Sequence, residues 1–267
     1  MNDTISAAQP VEQPGSIDLV VNANFATITL NNPARLNALP QRLWEALPNR
    51  FEETVEQGAR VIVLTGSGDN FCAGADISEF DDVRKNTETA RRYEKANEDA
   101  FAAVRNAPVP VIAQISGICF GGGFGLAAAC DLRIASEDAC FSVPAAKLGL
   151  AYPVAAMADI VHAVGAQNTK RLLYTADRFS ARQMQAMGFI SEVMPVAELE
   201  ERVLTLVRGT AALAPLTHRA TKASVAAALG GDVAWADKLG AATFVSEDYA
   251  EGRVAFREKR KPEFEGS

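Results

Sequence analysis

The chain contains only two histidines, His162 and His218, among its 267 residues. Chemistry built on several imidazole groups is therefore excluded. Cysteine is also sparse, with four residues at positions 72, 119, 130 and 140 and no CxxC pair. Since zinc ligands normally come in pairs two to four residues apart, no metal site is predicted. We expect four reduced thiols, each packed as a small apolar side chain.

Long apolar runs and a basic surplus are missing as well. No stretch approaches 18 uncharged apolar residues, so no membrane span is predicted. Residues 1–15 are polar and lack the basic and apolar regions of a signal peptide, and we expect them to form a flexible N-terminus. The net charge is −7, which disfavours nucleic acid or an anionic membrane as a partner. These features predict a cytoplasmic protein.

The residues that are present have the composition of a globular protein, with 48% apolar and 22% charged. Short apolar runs at 60–65 and 109–115 predict strands buried on both faces. They alternate with amphipathic helices predicted at 40–57 and 87–105. This alternation predicts an α/β core with parallel strands, followed by mainly helical segments. Further predicted elements are a hairpin at 17–21 and 25–30, strands at 131–135 and 190–195, and helices at 195–212, 235–244 and 247–257.

Two glycine-rich segments, 65–76 and 117–125, are candidates for chemistry. The first lacks the GK[ST] ending of a P-loop. The second matches a dinucleotide fingerprint formally, but too few residues follow it before the next predicted strand for a βαβ crossover. Its GGG triplet permits either close backbone packing or approach of a ligand to N–H groups at a helix N-terminus. Two such donors, one from each segment, would form an oxyanion hole.

Five sequence blocks, in this order and spacing, resemble the signature segments of the crotonase superfamily, the enoyl-CoA hydratase/isomerase family. They are NNPARLNAL at 31–39, FCAGADI at 71–77, ISG at 115–117 with GGG at 121–123, AACD at 128–131, and LGL at 148–150. The resemblance implies an α/β fold with a ββα spiral core at 16–195. It also implies a helical C-terminal trimerisation subdomain at 196–267, and hence a homotrimer or homohexamer.

The resemblance further implies an acyl-CoA thioester as ligand, in fatty-acid or related acyl-CoA metabolism. No permanently bound cofactor is implied, because coenzyme A arrives as part of the substrate. The thioester oxygen would be held by the main-chain N–H groups of Ala75 and Gly122. Phe256 and Lys259 would commonly serve the site of a neighbouring subunit. The residues implied to contact the CoA moiety are Arg35, Leu36, Ala38, Ala73, Asp76, Ile77, Phe256 and Lys259.

Both catalytic glutamates of typical hydratases are absent, since Gly125 and Ala145 stand at their positions. Adding water to a conjugated thioester needs a base for the water and an acid for the α-carbon. Glycine and alanine supply neither, so we expect hydration to be nearly abolished. The single carboxylate that isomerases of the family carry just after LGL is also missing from residues 148–154.

Tyr152 lies where methylmalonyl-CoA decarboxylases of the superfamily have a tyrosine. Decarboxylation produces an enolate without a base, so an oxyanion hole does most of the work. Tyr152 would then orient the carboxylate or deliver a proton. The competing interpretation is a wall residue whose hydroxyl bonds one backbone group. The histidine that decarboxylases often carry after the Ala-Gly pair is Ala75 here.

We therefore expect an enoyl-CoA hydratase/isomerase-like lyase that binds an acyl-CoA thioester and stabilises its enolate. Two alternatives stay open: a decarboxylase-type lyase using Tyr152, and an acyl-CoA-binding protein without turnover. Asp76 is expected to order its loop, and Asp159 to pair with His162 three residues later, at a helix surface or subunit interface. The residues that suggest an apolar acyl pocket are Phe80, Phe120, Leu148 and Tyr152.

Overall fold

The computed structural model describes residues 15–267, apart from the side chain of residue 155. The predicted flexible N-terminus lies outside this part of the chain except for Gly15. The strands are β1 Ser16–Val21, β2 Ala26–Asn31, β3 Ile62–Gly66, β4 Val111–Ile115, β5 Ile118–Phe120, β6 Leu132–Ser136, β7 Cys140–Ser142, β8 Phe179–Ser180 and β9 Glu192–Met194. The helices are α1 Gln41–Glu56, α2 Phe80–Val83, α3 Thr87–Asn106, α4 Gly122–Ala129, α5 Val154–Thr175, α6 Ala181–Ala186, α7 Leu199–Ala211, α8 Pro215–Ala228, α9 Val233–Thr243 and α10 Glu247–Glu258.

The strands form two sheets, and from β4 onward the chain passes back and forth between them. The larger sheet has the order β1-β2-β3-β4-β6-β9, and the smaller has the order β5-β7-β8. β1 and β2 form the predicted antiparallel hairpin, and every later pair in the larger sheet is parallel. Since β4 and β6 are each followed by a short strand of the second sheet, the chain advances as a spiral of strand pairs and helices. The α/β spiral expected from the sequence is confirmed.

The central strands are buried on both faces, which explains their continuous apolar sequence. On one face, Val63, Ile112 and Ile134 pack with α7, through side chains that include Val203 and Val207. On the other face, alternate residues such as Ile62 and Leu64 join the main core. α7 is therefore part of the packing around the sheet. Each such aliphatic side chain contributes about 1.5–3 kcal/mol when fully buried.

The last three helices lie against the rim of the core. Lys222 of α8 donates to the carboxylate of Asp131 at 2.8 Å and to the carbonyl of Val109 at 3.3 Å. Arg60 donates to the carbonyl of Phe264 at 2.6 Å, which fixes the segment after α10. Among residues 15–267, no helix has the length and apolar character needed to cross a bilayer. Large apolar side chains remain exposed in this region: Val233, Trp235, Phe244, Val245 and Phe256.

The shortest strands were not foreseen from the sequence. β5, β7 and β8 are two or three residues long, too short to display a period-two pattern. The glycine-rich segment at 65–76 is followed directly by a 3₁₀ helix at Ile77–Glu79. α5 is interrupted at Gly165, whose φ of 74° and ψ of 161° are not helical. These details lie around the spiral and leave its predicted order unchanged.

Candidate active site

The loop that ends at Asp76 is held between two neighbouring segments. On one side, the N–H of Cys72 donates to the carbonyl of Ile118 in β5 at 2.9 Å. On the other side, the N–H of Leu39 donates to the carbonyl of Gly74 at 2.7 Å, and the N–H of Asp76 donates to the carbonyl of Leu39 at 3.0 Å. Backbone hydrogen bonds on both edges of the loop therefore fix the position of Ala75.

Gly74 and Gly122 bring this loop against the start of α4. Gly74 has a φ of +97°, and a Cβ atom there would lie 2.8 Å from the nitrogen of Gly122 and 2.8 Å from the carbonyl oxygen of Phe120. A Cβ atom on Gly122 would lie 2.8 Å from the indole ring of Trp44. Both contacts are too close for a side chain. Glycine is therefore required at these two positions for the loops to approach each other.

The N–H groups of Ala75 and Gly122 are both available to an outside acceptor. Gly122 is the first residue of α4, so its N–H has no partner within the helix. Within residues 15–267, neither N–H donates to another backbone group. Ala75 and Gly122 line one cavity of about 130 Å³. The positive end of the α4 dipole favours negative charge at this point.

Tyr152 occupies the space beside Gly125. Its hydroxyl donates to the carbonyl of Gly121 at 2.9 Å. A Cβ atom on Gly125 would lie 2.5 Å from the Tyr152 oxygen and 2.9 Å from the ring of Phe101. A glutamate side chain therefore has no room at position 125 while Tyr152 is in place. Burial raises the pKa of Tyr152 well above its ordinary value, so the group is a neutral hydrogen-bond donor.

The bond from Tyr152 acts on the peptide group that carries the N–H of Gly122. The carbonyl of Gly121 and this N–H belong to one planar trans peptide, so they point in opposite directions. The same carbonyl also accepts from the N–H of Gly125 at 3.1 Å. Two donors therefore hold the peptide and fix the direction of its N–H. The Tyr152 hydroxyl therefore forms the bond to a backbone group that one of the two interpretations expects, and its role toward a substrate stays a prediction.

The cavity is more polar than the sequence suggested. Phe80, Leu148 and Tyr152 line it as expected, but Phe120 does not. The ring of Phe120 lies instead under the guanidinium of Arg178, at 5.5 Å. The polar lining residues that sequence reasoning missed are Arg84, Glu94 and Asn97.

A weak signal for two of these residues was present in α3. Glu94, Asn97 and Phe101 have the i, i+3, i+7 spacing of one helix face. Their stripe borders the apolar stripe that includes Tyr93 and Ala100. A glutamate at the edge of an amphipathic helix ordinarily lies in solvent, so its place in a cavity could not be inferred from spacing.

The residues expected to contact CoA lie partly around the mouth of this cavity. Ala73 and Ile77 line it, together with Ala75. The Asp76 carboxylate accepts from the N–H of Ser78 at 3.0 Å and from the Arg35 guanidinium at 3.4 Å. Asp76 thus orders the loop, as expected, and holds Arg35 beside it.

The preceding turn lies against the same loop. The carbonyl of Leu36 accepts from the N–H of Ala73 at 2.9 Å. Leu36 is 43% exposed, whereas Ala38 is buried. Phe256 and Lys259, at the end of α10, do not line the cavity of their own chain. Phe256 is 86% exposed.

Two further expectations concern charged and thiol groups. Asp159 does not take His162 as its partner: within the described chain its ion pair is with Arg105 of α3, at 2.5 Å. Burial raises the pKa of Asp159, and Arg105 opposes the increase. The four cysteines are free, and burial raises the pKa of Cys72 and Cys130 to about 12, so these thiols are neutral. No cluster of three or more metal-ligating side chains occurs in residues 15–267.

Comparison with known proteins identifies the family. The sequence profile of the enoyl-CoA hydratase/isomerase family matches residues 21–267. A peroxisomal Delta(3,5)-Delta(2,4)-dienoyl-CoA isomerase from Arabidopsis thaliana is 31% identical over 257 residues, which are 89% of this chain and 91% of that protein.

Solved structures agree with this assignment. An enoyl-CoA hydratase/carnithine racemase from Magnetospirillum magneticum is 35% identical, with a TM-score of 0.88 over 95% of this chain and 97% of that one. An enoyl-CoA hydratase from Bacillus anthracis is 31% identical, with a TM-score of 0.86 over 94% of this chain and 100% of that one. The chain belongs to the enoyl-CoA hydratase/isomerase family of the crotonase superfamily. Enzymes of this family act on CoA thioesters.

The contact between Tyr152 and Gly125 predicts an unusual response to alanine. Gly→Ala inside a helix normally stabilises by about 0.5–1 kcal/mol. We expect Gly125→Ala to destabilise instead, by about 1–3 kcal/mol, because the new methyl group overlaps the Tyr152 hydroxyl and the Phe101 ring. The free energy of unfolding from urea titrations measures this effect.

Gly209 of α7 is the matched control, because a Cβ atom there meets nothing within 4 Å. Gly209→Ala should stabilise the protein. In a Tyr152→Phe background, Gly125→Ala should cost less by about 1 kcal/mol, which a double-mutant cycle reports. If Gly125→Ala stabilises as much as Gly209→Ala does, the hydroxyl does not occupy the space beside Gly125.

Proposed function

We propose that this protein binds an acyl-CoA thioester and stabilises the enolate formed from it. The thioester oxygen lies between the N–H groups of Ala75 and Gly122. One observation carries the proposal: two N–H groups without backbone acceptors in the described chain line the same cavity, on loops fixed by their neighbours. We place the reaction in fatty-acid or related acyl-CoA metabolism, in the cytoplasm.

The proposed hole stabilises charge that appears only as the reaction proceeds. A preorganised N–H donor of this kind is worth about 100- to 1000-fold in rate. The Gly122 N–H is held by the bond from Tyr152 to the carbonyl of the same peptide. The α4 dipole adds a favourable field at the N–H of Gly122. The hole therefore needs no reorganisation when the enolate forms.

The CoA moiety would leave the cavity along the turn and loop described above. The basic Arg35 side chain, 46% exposed, is available there to an anionic group. The remaining contacts would come from Leu36, Ala38, Ala73, Asp76 and Ile77. Phe256 and Lys259 would be contributed by a neighbouring subunit, in a homotrimer or a homohexamer. The exposed apolar side chains of the C-terminal helices support such an assembly.

The chemistry proposed for this site excludes efficient hydration. Gly125 has no side chain, and Tyr152 fills the space a glutamate would need. Ala145 contributes only a methyl group to the cavity wall. Tyr152 holds its proton and so cannot act as the base that activates water. In this proposal the site has the two N–H groups that bind the thioester oxygen, but no carboxylate at positions 125 and 145.

Crotonyl-CoA tests this proposal directly. We expect its hydration to be at least about 100-fold slower than by a hydratase with both glutamates, assayed in parallel. Calorimetry should nevertheless show binding of butyryl-CoA. Hydration at the rate of the reference enzyme would contradict the loss of acid-base catalysis. Failure of every acyl-CoA to bind would overturn the proposed function itself.

A decarboxylase-type reaction is the second candidate, because the neutral Tyr152 hydroxyl lies beside the proposed hole. The bond between the α-carbon and a substrate carboxylate breaks, and its electron pair enters the thioester enolate as CO₂ leaves. The α-carbon then takes the proton of Tyr152, and water restores that proton. No oxidant, reductant or further co-reactant is required.

Release of CO₂ from malonyl-CoA and methylmalonyl-CoA tests this candidate. Tyr152→Phe should slow the release by at least about 100-fold, because it removes both the proton donor and one of the two bonds that hold the Gly122 N–H. Tyr174→Phe is the matched control, since Tyr174 is 77% exposed on α5. Unchanged release in Tyr152→Phe would remove the residue from the mechanism, and no release from either substrate would remove this candidate. Binding without product across a broad acyl-CoA panel would identify a protein without turnover.

A further inference from the structure

The cavity contains an ion pair that the chemistry above does not use. Arg84 Nη2 lies 2.7 Å from Glu94 Oε1, and the two side chains are only 21% and 32% exposed. Both residues line the same cavity as Ala75 and Gly122. Glu94 is the only carboxylate among the lining residues, in the part of the chain that the structure describes. A partly buried pair of opposite charges in a cavity with few other polar side chains is costly unless a further polar partner is present.

The position of Arg84 is set by two aromatic rings. Its guanidinium lies 4.8 Å from the centre of the Phe80 ring and 4.9 Å from that of the Tyr93 ring. The two rings meet edge to face at 6.0 Å. Arg84 Nε is buried and has no hydrogen-bond partner within residues 15–267. The guanidinium is therefore held in place, although one of its donors is left unpaired.

The pair lies away from the proposed oxyanion hole. Phe101 of α3 contacts the position beside Gly125 and Tyr152, near the hole. Glu94 lies seven residues earlier on the same face of α3, which corresponds to about 10 Å along the helix axis. The pair is therefore expected to meet the acyl chain several carbons from the thioester.

Three kinds of acyl chain can be compared at this point. A purely apolar chain would remove water from both charges and return no hydrogen bond. A chain ending in a carboxylate would be attracted by Arg84 but repelled by Glu94, so the pair offers it no net gain in charge interaction. A hydroxyl group fits both partners, because it donates to the free Oε2 of Glu94 and accepts from the Arg84 guanidinium. Among the described residues, no further ion pair is formed by Arg84 or Glu94.

We propose that Arg84 and Glu94 select CoA thioesters whose acyl chain bears a hydroxyl group several carbons from the thioester. This proposal rests on the proposed function, because it assigns the acyl specificity of the same site. A pocket that hydrogen-bonds a substrate hydroxyl strongly rejects the analogue that lacks it, since its polar groups are then left unpaired. With this pair partly exposed, we expect a preference of at least about 10-fold.

Calorimetric titration of the full protein with matched ligands tests the selection. ω-Hydroxyacyl-CoAs of four, six and eight carbons are each compared with the unsubstituted acyl-CoA and the ω-carboxyacyl-CoA of equal length. At one or more of these lengths, the hydroxylated ligand should bind at least about 10-fold more tightly than the other two.

Variants test whether the Arg84–Glu94 ion pair causes the preference for the hydroxylated chain. The double variant Arg84→Met with Glu94→Leu should reverse the preference, so that the unsubstituted chain binds more tightly. Glu94→Gln, which keeps the shape of the side chain, should weaken the preference without loss of folding. The matched control is Arg92→Met with Glu45→Leu, because that pair, with side chains 74% and 40% exposed, lies outside the cavity. The control should keep the preference.

The outcomes are distinguishable from failure of the proposed function. If the unsubstituted chain binds as tightly as the hydroxylated one at all three lengths, the selection is wrong. If the ω-carboxyacyl ligand binds most tightly, Arg84 acts without Glu94, and the proposal is again overturned. If no acyl-CoA of any kind binds, the proposed function fails first.

Discussion

The peptide group between Gly121 and Gly122 is the part of the site on which the rest depends. Its carbonyl accepts from the Tyr152 hydroxyl and from the N–H of Gly125, at 2.9 and 3.1 Å. Because the peptide is planar, fixing the carbonyl also fixes the opposite N–H. Gly121 adopts a φ of 49° and a ψ of −118°, which a residue with a Cβ atom rarely occupies. The conformation and the two donors together orient the N–H of Gly122.

The same bond restricts which residue position 125 can carry. Tyr152 reaches the Gly121 carbonyl through the space that a side chain at position 125 would fill. Within this arrangement, a glutamate at 125 and the Tyr152 bond exclude each other. In the proposed function, Tyr152 occupies the space of an acid-base side chain. It holds the Gly122 N–H in place as a donor to the oxyanion. The remaining charged groups, Arg84 and Glu94, then bear on which acyl chain enters rather than on the reacting carbons.

Much of this architecture followed from the sequence, because it is recorded in local patterns. The apolar runs identified β3 and β4, and the glycines at 74 and 121–123 marked the two loops that meet. Other features depend on contacts between distant segments. The Arg105–Asp159 pair joins α3 to α5, and Lys222 of α8 donates to Asp131. No spacing within one segment encodes such contacts.

The contact between Tyr152 and Gly125 was only partly predictable from the sequence. Both Gly125 and Tyr152 were visible in the sequence, 27 positions apart. Their contact was not, because it depends on how the segment before α5 crosses α4. The orientation of Phe120 was not predictable from its position either. Its neighbour Gly121 lines the cavity, but the Phe120 ring lies under Arg178 instead.

The vibrational frequency of the bound thioester carbonyl reports most directly on the proposed oxyanion hole. Difference infrared spectra of butyryl-CoA, unlabelled and ¹³C-labelled at the carbonyl, isolate this band in the complex and in water. Two N–H donors aimed at the oxygen polarise the carbonyl, so the frequency should fall below its value in water. The fall should be smaller in Tyr152→Phe, where the Gly121–Gly122 peptide loses one of its two bonds. A bound carbonyl at or above its frequency in water would contradict an oxyanion hole at Ala75 and Gly122.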